Sequence, residues 1–205
     1  MVGSAQQSFG SSGWPRPAVP DGSSSVGAME DPASGYRVRL VRLSARTLDA
    51  LLDGDLTTAR AVSAAPLTEF FVAEGWLWQI RAEQLRRDPA SAPWIARAAV
   101  VEADGHPAYA VGHVGFHGPP DDRGMVEVAY SVDPAHRRRG FGRALLGRAL
   151  GWAAERPDVR VVRASIRPDN IASLATIRPF GFDLVGEQWD DEDGLELVFE
   201  RPAHD

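Results

Sequence analysis

The chain of 205 residues contains no cysteine, which excludes disulfides, thiolate nucleophiles, cysteine-ligated zinc and iron–sulfur clusters. It contains no lysine either, so all 22 basic residues are arginine. Schiff-base and pyridoxal-lysine chemistry is thereby excluded, as is a phosphate loop of the Gly-Lys-Ser/Thr type. The cationic chemistry left is fixed charge on planar donors that match phosphate. Long apolar runs are missing too. None approaches the roughly 18 residues of a membrane span, and nothing near the start reads as a signal sequence, so a cytoplasmic protein with no membrane partner is expected. Surplus positive charge is also lacking. A net charge of −6 argues against nucleic-acid binding by the surface at large.

What is present suits one α/β core, given 44% hydrophobic residues over this length. Residues 1–35 are rich in Ser, Gly, Pro and Ala, without apolar periodicity, and read as a disordered leader. From Tyr36 the pattern alternates as a strand does, and Ser44 sits where a helix N-cap belongs. Helices are expected over 57–65 and 68–87, the second stopped by Asp88-Pro89. Its aromatics Phe70, Phe71, Trp76 and Trp78 read mainly as packing residues. Three sequential antiparallel strands follow over 95–102, 108–117 and 125–132, the first two joined by a turn at Asp104-Gly105. Phe141, Leu145, Ala149 and Trp152 mark one face of a helix over 141–155. A strand over 159–166 comes next, then a short helix opened by Asp169 or Asn170 and ended by Gly181. A final strand pair spans 182–189 and 195–201.

The stretch richest in chemistry is Tyr130-Ser-Val-Asp-Pro-Ala-His-Arg-Arg-Arg-Gly-Phe-Gly-Arg: a strand, a basic glycine loop, then a helix. Amides at a helix N-terminus lack internal partners and carry the positive end of the dipole, and glycine lets backbone approach a pyrophosphate. Arg137, Arg138, Arg139 and Arg143 add charge beside them, and His136 lies adjacent. A dinucleotide fingerprint fits poorly, because five residues separate Asp133-Pro134 from Gly140 and Leu145 fills its third small position.

Arg137-x-x-Gly140-x-Gly142, after a strand ending at Val132-Asp133-Pro134, resembles the acetyl-CoA signature of the GNAT superfamily of N-acetyltransferases. Asn170-x-x-Ser173 and Phe180-Gly181-Phe182 resemble that superfamily's second motif. The likeness runs over about residues 36–203 and is greatest to the branch containing ribosomal-protein N-terminal acetyltransferases. It implies a mixed, mostly antiparallel, splayed central sheet of about seven strands flanked by helices. It also implies acetyl-CoA as cosubstrate, with backbone from Arg138 through Gly140, Phe141 and Gly142 to Arg143 on the pyrophosphate. The strand edge Tyr130, Ser131 and Val132 would take the pantetheine amides, and Asn170 and Ser173 its arm. Asn170 reads equally as a helix cap. Glu127, on the central strand, is the candidate general base; as a bare strand carboxylate it reads equally as a salt-bridge partner.

The sequence departs from that pattern at Ile177, where many relatives carry a tyrosine that protonates the departing thiolate. Water, Ser173 and Tyr130 remain open as replacements. No metal is expected, since His113 and His117 share a strand face without a third ligand, and His106 sits in a turn. The run Asp190, Asp191, Glu192, Asp193 reads as a solvated turn or as an attractant for a cationic amine. The acceptor is expected to be a small-molecule amine or a protein N-terminus, and the protein a monomer or homodimer. A GNAT-like domain that binds CoA without transfer is the rival reading. A nucleic-acid patch at 136–139 is too short and too poor in aromatics to compete.

Overall fold

A computed structural model describes residues 30–31 and 36–204 of the chain. The expected leader lies outside the described residues except for Glu30–Asp31 (β1), whose backbone pairs antiparallel with Tyr36–Arg42 (β2).

Four helices follow β2: Ala45–Leu52 (α1), Leu56–Ser63 (α2), Glu69–Ala73 (α3) and Gly75–Arg87 (α4). Ser44 caps α1 as its sequence position predicts, its hydroxyl accepting from the Thr47 amide at 3.2 Å. The helix expected over 68–87 is broken at Glu74, whose φ of −82° and ψ of 22° leave the helical range. Gly75 loosens the chain there, and the Glu74 carboxylate turns away to reach His113 Nε2 at 3.2 Å. His113 is buried among Phe70, Phe71 and Trp78.

Arg97–Ala103 (β3), His106–Phe116 (β4) and Met125–Val132 (β5) form the expected antiparallel meander. Then come Phe141–Ala154 (α5), Val161–Ile166 (β6), Ile171–Ile177 (α6), Asp183–Asp190 (β7) and Gly194–Pro202 (β8). The sheet runs β1-β2-β3-β4-β5-β6-β8-β7 among the described residues. Seven strands are full-length and one has two residues, and every pairing is antiparallel except β5 with β6. That exception follows from α5, which carries the chain over the sheet between the two strands.

The core lies between the sheet and the helices. The predicted face of α5, Phe141, Leu145, Ala149 and Trp152, is buried. Trp152 meets Trp94 edge-on at 4.9 Å and stacks on Phe116 at 5.4 Å between ring centres. The Arg97 guanidinium lies 4.1 Å from the same indole, where its charge meets the electron-rich face. The backbone passes very close at Gly115, where an added Cβ would lie 1.4 Å from the Ile95 carbonyl oxygen.

The feature that positions the site is a parting of strands. β5 and β6 pair only at Met125↔Val161, Val126↔Val162 and Glu127↔Arg163. Beyond Glu127, β5 stays bonded to β4 from Val128 to Val132, while β6 continues beside β8. Among the described residues, one edge of the second half of β5 is therefore left without a strand partner.

Candidate active site

The glycine loop sits at the far end of that open edge. Asp133 closes the strand by accepting from the Ala135 amide at 2.9 Å, and Pro134–His136 forms a short 3-10 turn. Arg138 then takes a left-handed φ of 60° and Gly140 one of 84°, which turn the chain into α5. Among the described residues no side chain caps α5, and the first amides of a helix have no partner within the helix, which is what an anion-binding helix start requires. Arg138 and Arg139 are exposed beside them. Arg137 differs: its Nε donates to the Val132 carbonyl at 3.0 Å, so its side chain also ties the loop to the end of β5. Gly142 packs close to α6 and Tyr130; a Cβ there would lie 3.5 Å from Thr176 Oγ1 and 3.7 Å from the Tyr130 ring.

Where the strands part, a cavity of about 1030 Å³ opens, lined by β5, β6, the β7–β8 hairpin, the 117–121 loop and Trp76 of α4. Glu127 stands on its wall with a side chain only 14% exposed. Burial raises its pKa above the ordinary carboxylate range. Ser165 Oγ, donating to Oε1, and the charge of Arg163 oppose the rise, while Glu200 and Asp190 add to it. Arg163 itself is held by Glu200, with Nη2 at 2.6 Å. His117 Nδ1 is 3.8 Å from Glu127 Oε1, but burial, helped by the charge of Arg81, lowers its pKa to about 3. His117 is thereby held neutral at physiological pH.

The site continues through Gln188, whose Nε2 donates to Ser165 Oγ at 3.2 Å and to Glu196 Oε2 at 2.9 Å. Glu196 is raised by burial, opposed by the Gln188 bond, and raised further by the charges of Glu127, Asp190 and Asp193. The wall thus carries a largely buried carboxylate, Glu127, and a half-buried one, Glu196. This suits a buried carboxylate that takes up a proton.

A family model described as "Acetyltransferase (GNAT) family" matches residues 60–182, which hold the loop, the open strand edge and the wall at Glu127. The chain belongs to the GNAT acetyltransferase family. Its curated relatives include the uncharacterized N-acetyltransferase YjdG of Bacillus subtilis (strain 168), 35% identical over 74 residues that make up 36% of this chain and 44% of YjdG. The chain spans less than half the length of the curated relatives it matches. Among solved structures, the ribosomal-protein-S5-alanine acetyltransferase of Vibrio fischeri shares the fold with a TM-score of 0.54 at 19% identity, over 87% of this chain and 98% of that one. A spermidine N-acetyltransferase SpeG chimera from Vibrio cholerae and hSSAT shares it with a TM-score of 0.55 at 14% identity, over 83% and 96%.

Within this GNAT fold, the structure brings together Glu127, Tyr130, Asn170 and Ser173 on one cavity, with the amides of 138–143 beyond Tyr130. The Tyr130 hydroxyl is buried near Ser173 and Thr176. Burial raises its pKa and those two hydroxyls oppose the rise. Asn170 does cap α6, accepting from the Ser173 amide at 3.1 Å; its amide NH2 remains for the cavity. Ile177 is buried in the core. The acidic run divides. Asp190 and Asp193 line the cavity, Asp190 Oδ1 also accepting from the amides of Glu192 and Asp193, while Asp191 and Glu192 are exposed and lie off the cavity. Among the described residues no group of three or more His, Asp or Glu is placed to hold a metal, and no helix is long and apolar enough to cross a membrane.

Sequence reasoning missed Ser165, Gln188 and Glu196 as site residues. Each occupies an ordinary alternating strand position, and only the register of β6, β8 and β7 brings them together.

Proposed function

We propose that the protein transfers an acetyl group from acetyl-CoA to a primary amine, on a small molecule or a protein N-terminus, by direct attack in a ternary complex. The observation that carries this reading is the placement of buried Glu127 where β5 and β6 part, with an uncapped glycine-loop helix at the other end of the open edge. The parts fit acetyl-CoA. The amides of 138–143 suit a pyrophosphate, and the free edge at 130–132 offers alternating N–H and C=O groups to the amides of pantetheine.

Acetyl-CoA supplies an activated acyl carbon. The chain's own work is to align the amine and remove its proton. Glu127 takes the ammonium proton, directly or through water, and frees the lone pair that forms the N–C bond; as the C–S bond breaks, CoA leaves as thiolate and the nitrogen's second proton balances its charge. Backbone N–H groups on the β5 edge favour the negative charge that develops on the carbonyl oxygen. The surplus of carboxylates on the cavity wall favours a cationic acceptor. Neighbours of this fold acetylate a ribosomal protein in one case and spermidine in the other, which supports an amine acceptor in general.

Burial of Ile177 favours a second reading, CoA binding without transfer, because no phenol stands at that position to protonate a thiolate. Calorimetric titration with acetyl-CoA, comparing the intact chain with Gly142→Glu, tests the shared part. Binding lost in a folded variant supports both readings, and no binding to the intact chain overturns both. A screen of amines for CoA release then separates them.

A further inference from the structure

We propose that Gln188 is a positioning residue for Glu127, acting through Ser165 and held in orientation by Glu196. One hydrogen-bonded chain crosses four strands, and the protons along it are fixed in number. Glu127 on β5 pairs with Arg163 on β6, and Ser165 is the next residue of β6 on that face. Gln188 on β7 stands directly opposite Glu196 on β8. Their side chains meet in one line: Glu196, Gln188, Ser165, Glu127.

An ionised carboxylate only accepts, so the side that Gln188 turns to Glu196 is its NH2. The same nitrogen uses its second proton on Ser165 Oγ. A serine hydroxyl has one proton to give; with Gln188 donating to its oxygen, that proton is committed to Glu127 Oε1. Turned the other way, Gln188 would set its own oxygen against the Glu196 carboxylate and draw the serine proton away from Glu127. Glu196 therefore fixes the polarity of the chain, and Gln188 transmits it. Glu127 Oε2 has no hydrogen-bond partner among the described residues, which leaves it for the acceptor amine.

The other charged or titratable groups around Glu127 are Arg163 on β6, Glu200 on β8, Asp190 on β7 and neutral His117 after β4. Of the influences that keep Glu127 ionised against its burial, the Ser165 bond is the largest, ahead of Arg163. Losing the donor should therefore move Glu127 toward its protonated form. Its consequence for turnover rests on the reading of Glu127 as base.

The test measures Glu127 itself, without substrate. Protein carrying 13C-labelled glutamate is titrated by NMR, the Glu127 carboxyl being assigned by its loss in Glu127→Gln. Wild type is compared with Ser165→Ala, Gln188→Met and the double variant. Ser165→Ala is expected to raise the Glu127 midpoint by about one pH unit, the size of effect of a hydrogen bond to a charged group. Gln188→Met, nearly the same shape without donors, should raise it by part of that in the wild-type background and not at all once Ser165 is alanine. An unchanged midpoint in Gln188→Met, or an equal shift with and without Ser165, overturns the proposal. Gln188→Leu carries the same comparison if the methionine variant does not fold. Full turnover in Glu127→Gln would remove the base from the mechanism and leave the titration result standing, so the two failures are distinguishable.

Discussion

Glu127 and Arg163 form the last rung of the parallel ladder between β5 and β6, yet the Arg163 guanidinium turns to Glu200 instead of to its cross-strand neighbour. The carboxylate is left buried, with one serine hydroxyl as its hydrogen-bond donor. A carboxyl whose folded pKa lies above its unfolded value binds more protons in the native state. It thus withdraws stability as the pH rises through that range.

Glu127→Gln is therefore expected to be more stable than wild type at about pH 8, with the difference closing below about pH 4, where the carboxyl is protonated in both states. Acetyl transfer should fall by roughly 10²- to 10⁴-fold in the same variant, the usual share of a general base. Scanning calorimetry across pH, beside steady-state kinetics, checks both. A variant less stable than wild type at high pH would contradict the burial argument.

His117 gives the opposite pH dependence. With its folded pKa lowered to about 3 from an ordinary value of 6.5, the unfolded chain binds the proton first as pH falls. The protein should lose stability from about pH 6.5 downward, by up to about 2 kcal/mol at pH 5 from this residue. Urea unfolding at pH 7 and pH 5 should show a smaller loss in His117→Gln than in wild type.

Local signals account for what was legible in the sequence. Ser44 before its helix, Asp104-Gly105 between two strands and the glycine loop before α5 each act within a few residues, and each appears where its chemistry placed it. The break at Glu74 was hidden because the amphipathic pattern continues through it, while the cause, a bond to His113, comes from 39 residues away. The same holds for the site. Glu127 is nominated by the family resemblance, from its place on the central strand. Its partners Ser165, 38 residues on, and Gln188, a further 23, depend on β8 inserting between β6 and β7.

Arg138 and Arg139 are exposed, so their contribution to holding a pyrophosphate should be screened by salt. The double variant Arg138→Ser, Arg139→Ser is expected to bind acetyl-CoA about tenfold more weakly at low ionic strength, the gap narrowing toward 0.5 M salt. Calorimetry at two salt concentrations reads this directly. A gap that widens with salt would place these arginines outside the anion site.

Two glycines should respond to alanine with opposite signs. Gly115→Ala drives a methyl into the Ile95 carbonyl and should cost about 3 kcal/mol or more, because backbone cannot yield as a side-chain end can. Gly151, exposed in α5 with nothing within 4 Å of an added Cβ, should gain about 0.5–1 kcal/mol as alanine. Chemical denaturation of the two variants checks the contrast.

Three rungs join the two parts of the sheet, and each part is continuous in sequence. Strands β1 to β5 lie in the sheet in the order in which they are synthesised, so their ladder can close as each strand leaves the ribosome. β8 must insert between β6 and β7, so the second part waits for its last strand. The cleft proposed for the acceptor should thus be a late product of folding. A chain halted after α5 would carry the glycine loop and most of the open edge, but no opposite wall.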